Sequence, residues 1–271
     1  MNIGKKSRLA RLFHPVSCRS VIVPLDHGAT LGPITGLTDP VQLITKLCGD
    51  LSPVQGLVLH RGVMEQASSV LLPYDLPTRV LHLSASTAFS PKVTQKALVA
   101  SVEDALRMGA DAVSVHVNLG GDAEPDMLRD FGMVASYCQQ WGMPLLAMMY
   151  IRVDGQVSSA TSHVAHAARL AAEMGADLVK VDYPGSIDAM AEVVGGCFIP
   201  VLIAGGEKCA NSQQVLQMVG QAIDGGAAGV CMGRNVFQQE HAHDFINEVG
   251  LAVHGWRPTL ERQMLHMESD T

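Results

Sequence analysis

Along most of the chain, short apolar runs alternate with longer stretches whose apolar residues recur every three or four positions. The first pattern is that of a buried strand and the second that of a helix with one apolar face. Strands are expected at about 21–26, 56–60, 79–84, 111–117, 144–150, 177–183, 200–204 and 229–232. One half-unit recurs, in which an amphipathic helix stops at a glycine and an apolar strand begins. It reads Ala105-Leu-Arg-Met-Gly-Ala-Asp-Ala-Val-Ser-Val-His-Val117, and again Leu170-Ala-Ala-Glu-Met-Gly-Ala-Asp-Leu-Val-Lys-Val181. A looser copy runs Ala222-Ile-Asp-Gly-Gly-Ala-Ala-Gly-Val-Cys-Met232. Gly109, Gly175 and Gly225 are expected in the left-handed conformation just past each helix end.

Strands alternating with helices imply a parallel sheet. Eight of them with little chain left over favour an α/β fold of the closed (β/α)8 TIM-barrel kind, for which about 250 residues are typical; this chain has 271. A doubly wound open sheet is the alternative, but no GxGxxG follows the first strand. The weakest element is the helix after the second strand, because the stretch from Glu65 to Leu72 is short. No linker or low-complexity tract divides the sequence, so one domain over 1–271 is expected.

Composition narrows the partners. Apolar residues make up 48% and charged residues 17%, enough for a large core. The formal charge of -7 is spread along the chain, which favours neither nucleic acid nor an anionic membrane. The one basic cluster, Lys5, Lys6, Arg8 and Arg11, is interleaved with Leu9, Leu12 and Phe13, and is expected to form a short helix capping the barrel bottom. No secretory leader or bilayer-length apolar run is found, and the six scattered cysteines form no CxxC pair. A reducing, cytoplasmic setting is expected.

In a (β/α)8 barrel the chemistry sits at the C-terminal ends of the strands. Lys180 lies inside Leu178-Val-Lys-Val181, and side-chain alternation puts Leu178, Lys180 and Asp182 on one face. If the valines lie under the helices, Lys180 points into the barrel, where burial lowers a lysine's pKa and favours the nucleophilic amine. An inward lysine paired with Asp182 or Asp26 is the competing reading. Tyr150 ends the fifth strand, within reach of Lys180 as a proton carrier, or stands at the rim as an amphipathic side chain. Asp26 and His27 close the first strand in Val21-Ile-Val-Pro-Leu-Asp-His-Gly28, at the mouth, unless Asp26 only caps the loop. The seventh and eighth strands end in Ile203-Ala-Gly-Gly206 and Met232-Gly-Arg-Asn235. Gly205, Gly206, Gly233 and Arg234 therefore suggest a phosphate site. His27, His60, His82 and His116 fall near the ends of strands one to four. They read more readily as separate rim histidines than as a metal site, since no HxH or HxxxH spacing joins them.

Taken together these stretches resemble the archaeal-type class I fructose-bisphosphate aldolase superfamily, and within it the heptulosonate-synthase branch. The resemblance runs from about Ile3 to about Val249. Its motifs are Ile3-Gly-Lys-Lys-Ser-Arg-Leu, Val23-Pro-Leu-Asp-His-Gly with Gly32-Pro-Ile-Thr-Gly-Leu, Ala147-Met-Met-Tyr, Asp177-Leu-Val-Lys-Val and Gly233-Arg-Asn-Val-Phe-Gln. It implies a (β/α)8 barrel without metal or other cofactor, often assembled as a ring-based homodecamer. By resemblance Lys180 is the Schiff-base lysine, Tyr150 the proton-transfer residue and Asp26 the assisting carboxylate. Gly205, Gly206, Gly233 and Arg234 match the phosphate loops, with His27 at the substrate. The expected partners are a phosphorylated sugar or dihydroxyacetone phosphate and an aldehyde such as aspartate semialdehyde, giving an amino seven-carbon sugar acid. A plain sugar-phosphate aldolase, a metal-dependent epimerase and a non-catalytic phosphate-binding barrel are the alternatives. Three departures stand out. Tyr150-Ile-Arg-Val-Asp-Gly155 replaces the family's Tyr-Pro-Arg-Gly, Ala204 replaces a common serine, and Glu207 brings a negative charge beside the proposed phosphate.

Overall fold

A computed structural model describes residues 2–49, 52–71 and 76–255. The chain runs α1 (Ile3–Ala10), β1 (Ser20–Pro24), α2 (His27–Leu31), α3 (Pro40–Leu47), β2 (Gly56–Leu59), α4 (Arg61–Val70) and β3 (Thr78–His82). A small hairpin of β4 (Ser84–Ala85) and β5 (Ala97–Leu98) precedes α5 (Val102–Arg107), β6 (Ala112–Leu119), α6 (Glu124–Trp141), β7 (Leu145–Val153) and β8 (Gln156–Val157). Then come α7 (Thr161–Glu173), β9 (Leu178–Val181), α8 (Ile187–Gly195), β10 (Val201–Ala204), α9 (Ser212–Asp224), β11 (Gly229–Cys231), α10 (Arg234–Phe237) and α11 (Ala242–His254).

Eight strands pair in parallel in the order β6-β3-β2-β1-β11-β10-β9-β7, and β6 also pairs with β7. That last pairing closes the sheet, which makes it a (β/α)8 barrel and excludes the open doubly wound alternative. All eight expected strands are present. The fifth runs past its expected end, because Asp154 and Gly155 adopt φ of 49° and 78° and turn the chain back into β8. Asp-Gly is a hairpin signal of that turn type. Tyr150 is therefore not at the strand end; Arg152 stands two residues beyond it on the same face. The helix after the second strand is not reduced either. It starts directly at Arg61 and buries Met64 and Ala67; Leu72 lies outside the described residues.

Gly109 and Gly175 take positive φ as expected, but Gly225 does not. Its φ is -77°, and the turn is made by Gly226 at φ 92°. Gly225 has a different reason to be glycine: a Cβ there would come within 2.6 Å of the Met190 Cβ on α8.

Strand alternation sorts the core in two. Outward residues such as Val179, Val181, Val113 and Val115 pack under the helices. Inward residues Ile22, Val58, Val80, Ala112, Leu146, Leu178 and Leu202 fill the barrel's lower layer. Leu12, fully buried, joins them from below, a burial worth about 2 kcal/mol. The segment carrying it is fastened by charge. Asn2 caps α1 by accepting from the Lys5 amide at 2.8 Å. Lys5 Nζ pairs with Asp177 at 2.8 Å, Arg11 pairs with Asp111, and Arg8 donates to the Gly142 carbonyl at 2.9 Å. Asp111 and Asp177 are the equivalent aspartates of the two Met-Gly-Ala-Asp repeats. Each also accepts from a neighbouring strand's amide, that of Arg79 at 3.1 Å and that of Leu145 at 2.9 Å. No described helix is long and apolar enough to cross a membrane.

Candidate active site

Up the inward faces, the apolar layer gives way to polar groups. On β6 the sequence Ala112, Ser114, His116, Asn118 rises from floor to mouth; on β7 it is Leu146, Met148, Tyr150, Arg152. Lys180 on β9 is level with Met148 on β7 and Leu202 on β10, and only 7% of it is exposed. An ammonium here has lost most of its water. Burial alone would lower its pKa, but Cys231, Tyr150 and Asp26 around it act the other way and prevail. Lys180 is held above the ordinary lysine range. Of the two readings of an inward lysine, this direction favours the charged one facing a carboxylate, with Asp26 the anion at neutral pH, so the ammonium must lose a proton before the lysine can attack.

Tyr150 lies alongside Lys180. Burial raises its phenol above the ordinary value, with Lys180 pulling the other way, so the group carries its proton at neutral pH. Asp26 precedes α2 but makes no capping hydrogen bond with its side chain. Its two oxygens lie 3.7 Å from His27 Nδ1 and 3.7 Å from His82 Nε2. Burial disfavours its charged form, but His82, His27, Lys180 and His60 outweigh this and hold the carboxyl well below its usual range. It is an anion at any pH of interest.

The histidines are not separate rim groups. His82 Nδ1 shares a 2.7 Å hydrogen bond with the Ser114 hydroxyl, and its ring stands edge-on to His60. The His116 ring is 4.9 Å from that of Tyr150. Burial pushes His82 down to about 4 and His116 well below the ordinary value, so both are neutral at pH 7. Among the described residues no three His, Cys, Asp or Glu side chains are arranged to hold a metal ion.

Gly233 is needed where the chain passes His27: a Cβ there would meet the His27 ring at 2.5 Å and the Pro24 carbonyl at 2.8 Å. Gly206, at φ 69°, faces open space. Arg234 has a buried Nε without a hydrogen-bond partner, and one weak contact of 3.8 Å from Nη1 to Glu207. The Glu207 side chain is 92% exposed, so its charge is largely spent on water and not on the loop. Asn235 was not expected in the site, yet it ties these loops together. It donates to the Gly205 and Glu207 carbonyls and accepts from the Cys209 amide at 2.7 Å. An asparagine next to Gly-Arg at a strand end was the available signal. Arg152, Asn118 and Lys96 were also missed; the Asp-Gly turn that extends β7 could have revealed the first.

A closed parallel barrel with a buried lysine on the sixth strand and a tyrosine on the fifth defines an enzyme that makes or breaks carbon–carbon bonds through a lysine Schiff base. The chain belongs to the DeoC/LacD family of aldolases, whose family model matches residues 20–239. A 2-amino-4,5-dihydroxy-6-oxo-7-(phosphonooxy)heptanoate synthase of Streptomyces griseus is 45% identical, over 87% of this chain and 85% of the relative. A 2-amino-3,7-dideoxy-D-threo-hept-6-ulosonate synthase of Archaeoglobus fulgidus is 40% identical, over 93% and 92%. Among solved structures, an archaeal fructose-1,6-bisphosphate aldolase with its catalytic lysine bound to the substrate carbinolamine superposes with a TM-score of 0.82. It is 28% identical and covers 93% of this chain and 100% of that one.

Proposed function

We propose that this enzyme joins a phosphorylated three-carbon ketone unit, as dihydroxyacetone phosphate or part of a ketose phosphate, to an aldehyde through Lys180. The preferred aldehyde is aspartate semialdehyde, and the product an amino seven-carbon sugar acid. The carrying observation is the buried Lys180 beside Tyr150, in a chain so similar to heptanoate and heptulosonate synthases. The product named for the Streptomyces relative is a β-hydroxyketone, with its ketone at carbon 6, a hydroxyl at carbon 4 and phosphate at carbon 7. Breaking its bond between carbons 4 and 5 by a retro-aldol step yields dihydroxyacetone phosphate and aspartate semialdehyde.

In this reading the Lys180 ammonium loses a proton to solvent while Asp26 stays an anion beside it, and the free amine adds to the ketone carbon. Tyr150 protonates the carbinolamine hydroxyl, which leaves as water and gives an iminium. The resulting phenolate removes the α proton, and the C–H electrons form the enamine. The enamine carbon attacks the aldehyde, whose oxygen takes the proton back from Tyr150. Water then adds to the iminium and gives up a proton to the Tyr150 phenolate, and collapse of the carbinolamine frees product and amine. Arg234, with its unpartnered Nε, and the loops at Gly205, Gly206 and Gly233 hold the donor's phosphate. His27 lies between these loops and Asp26, against the donor. A fructose-bisphosphate-type aldolase would share every step and differ only in its aldehyde. Six free thiols suit a reducing cytosol, and further copies of the chain are the expected protein partners.

The test is intact mass after borohydride reduction with dihydroxyacetone phosphate and, separately, fructose 1,6-bisphosphate, followed by peptide mapping. An adduct on Lys180, absent in Lys180→Ala, is expected. No adduct with either donor in folded protein, or an adduct on another lysine, would sink the reading.

A further inference from the structure

The mouth carries a second group of cations, across Lys180 from Arg234. Lys96 leaves the β4–β5 hairpin and Arg152 rises on β7 beyond Tyr150. The two are held in place by polar contacts and not by carboxylates. Lys96 Nζ donates to the Ser86 hydroxyl at 2.5 Å. Arg152 donates from Nε to the Asn118 side-chain oxygen at 2.7 Å and from Nη1 to the Gly155 carbonyl at 3.1 Å. Asn118 in turn donates to the Thr94 carbonyl at 2.7 Å, which fastens the hairpin to the barrel two residues before Lys96. Asn118 also stands beside Tyr150 in the strand register. Among the described residues neither Lys96 nor Arg152 makes an ion pair. Both are partly buried. Burial works against the Lys96 charge, Asp26 supports it and Arg152 opposes it, and the balance lowers its pKa, so an anion arriving here is favoured.

The position of this pair sets what the anion belongs to. Around the barrel, β9 with Lys180 lies between β7 with Arg152 and the β10–β11 loops with Arg234. A donor held by its phosphate at Arg234 and bonded to Lys180 leaves the far side of Tyr150 for the aldehyde. We infer that Lys96 and Arg152, braced by Asn118, form a subsite for the anionic end of the incoming aldehyde, selecting acceptors that carry a carboxylate or a phosphate. The inference rests on the aldol reading above, and it accounts for how one barrel could receive a substrate charged at both ends.

The experiment uses wild type, Lys96→Met, Arg152→Met and the charge-keeping Lys96→Arg. Donor capture is followed by borohydride trapping of dihydroxyacetone phosphate. Steady-state kinetics are run with aspartate semialdehyde, glyceraldehyde 3-phosphate and uncharged glyceraldehyde. Both Met variants should still trap the donor on Lys180, which also shows that they fold. Their KM for a charged aldehyde should rise roughly tenfold or more, the size of a lost charge-assisted contact, with a change below about threefold for glyceraldehyde. Lys96→Arg should recover most of the loss. A rise confined to the semialdehyde assigns the subsite to a carboxylate; one confined to glyceraldehyde 3-phosphate assigns it to a second phosphate. Equal changes for charged and uncharged aldehydes, or none in either variant, would overturn the subsite while leaving the Schiff base intact. Failure of wild type to trap any donor would instead strike the aldol reading itself.

Discussion

The two ends of the barrel treat charge in opposite ways. At the bottom, Lys5 and Asp177 are 6% and 7% exposed and face each other at 2.8 Å, and Arg11 is matched to Asp111. Lys5 and Arg11 each have a fixed opposite. At the mouth, Lys96, Arg152 and Arg234 are braced by neutral groups or by a distant, exposed carboxylate. Paired charges stabilise a fold and have nothing left to offer a ligand. Unpaired ones cost stability and are available for binding.

Breaking the lower clamp should give the largest effect. Lys5→Met leaves the Asp177 carboxylate buried and uncompensated, and is expected to lower unfolding stability by about 3 kcal/mol or more. Denaturant melts check this, and donor trapping on Lys180 should be retained in the folded variant; an unchanged midpoint would mean the pair adds nothing. At the upper end, Tyr150→Phe should reduce turnover by roughly 10²-fold or more while donor still binds. Full turnover in that variant would remove Tyr150 from the proton transfers.

A finer test concerns pH. Asp26 is one of the groups holding the Lys180 ammonium above its ordinary pKa, so Asp26→Asn should lower it. The neutral amine then appears at lower pH, and the rise of borohydride-trapping rate with pH should move to lower pH. A shift to higher pH, or none, would show that the carboxylate does not govern the lysine's charge. The smallest effect is expected from Arg234→Ala, with KM for phosphorylated donors rising about tenfold. An equal change for unphosphorylated ketones would refute the phosphate anchor.

Much of this was legible before any coordinates. Periodicity alone located all eight barrel strands, because a two-residue repeat and a helical repeat bury different faces. Alternation also assigned Lys180 to the inward face, opposite Val179 and Val181. The Met-Gly-Ala-Asp repeat was visible as a helix stop and strand start. Its second use, anchoring α1 through Asp111 and Asp177, was not, since Arg11 and Asp111 lie 100 residues apart.

What the tertiary structure decided are the quantities that depend on neighbours across strands. Burial of Lys180 suggested a lowered pKa, whereas the groups brought around it by β1, β7 and β11 turn the shift upward. Glu207 read as a threat to phosphate binding, but its side chain points into water. Arg152, Asn118 and Lys96 come from three different segments, and only barrel closure through β6 and β7 with the hairpin folded over it makes them one cluster. A sequence states which side chains are inward; the distances between them, and hence which charges are paired and which are left for a substrate, are set by closure of the sheet.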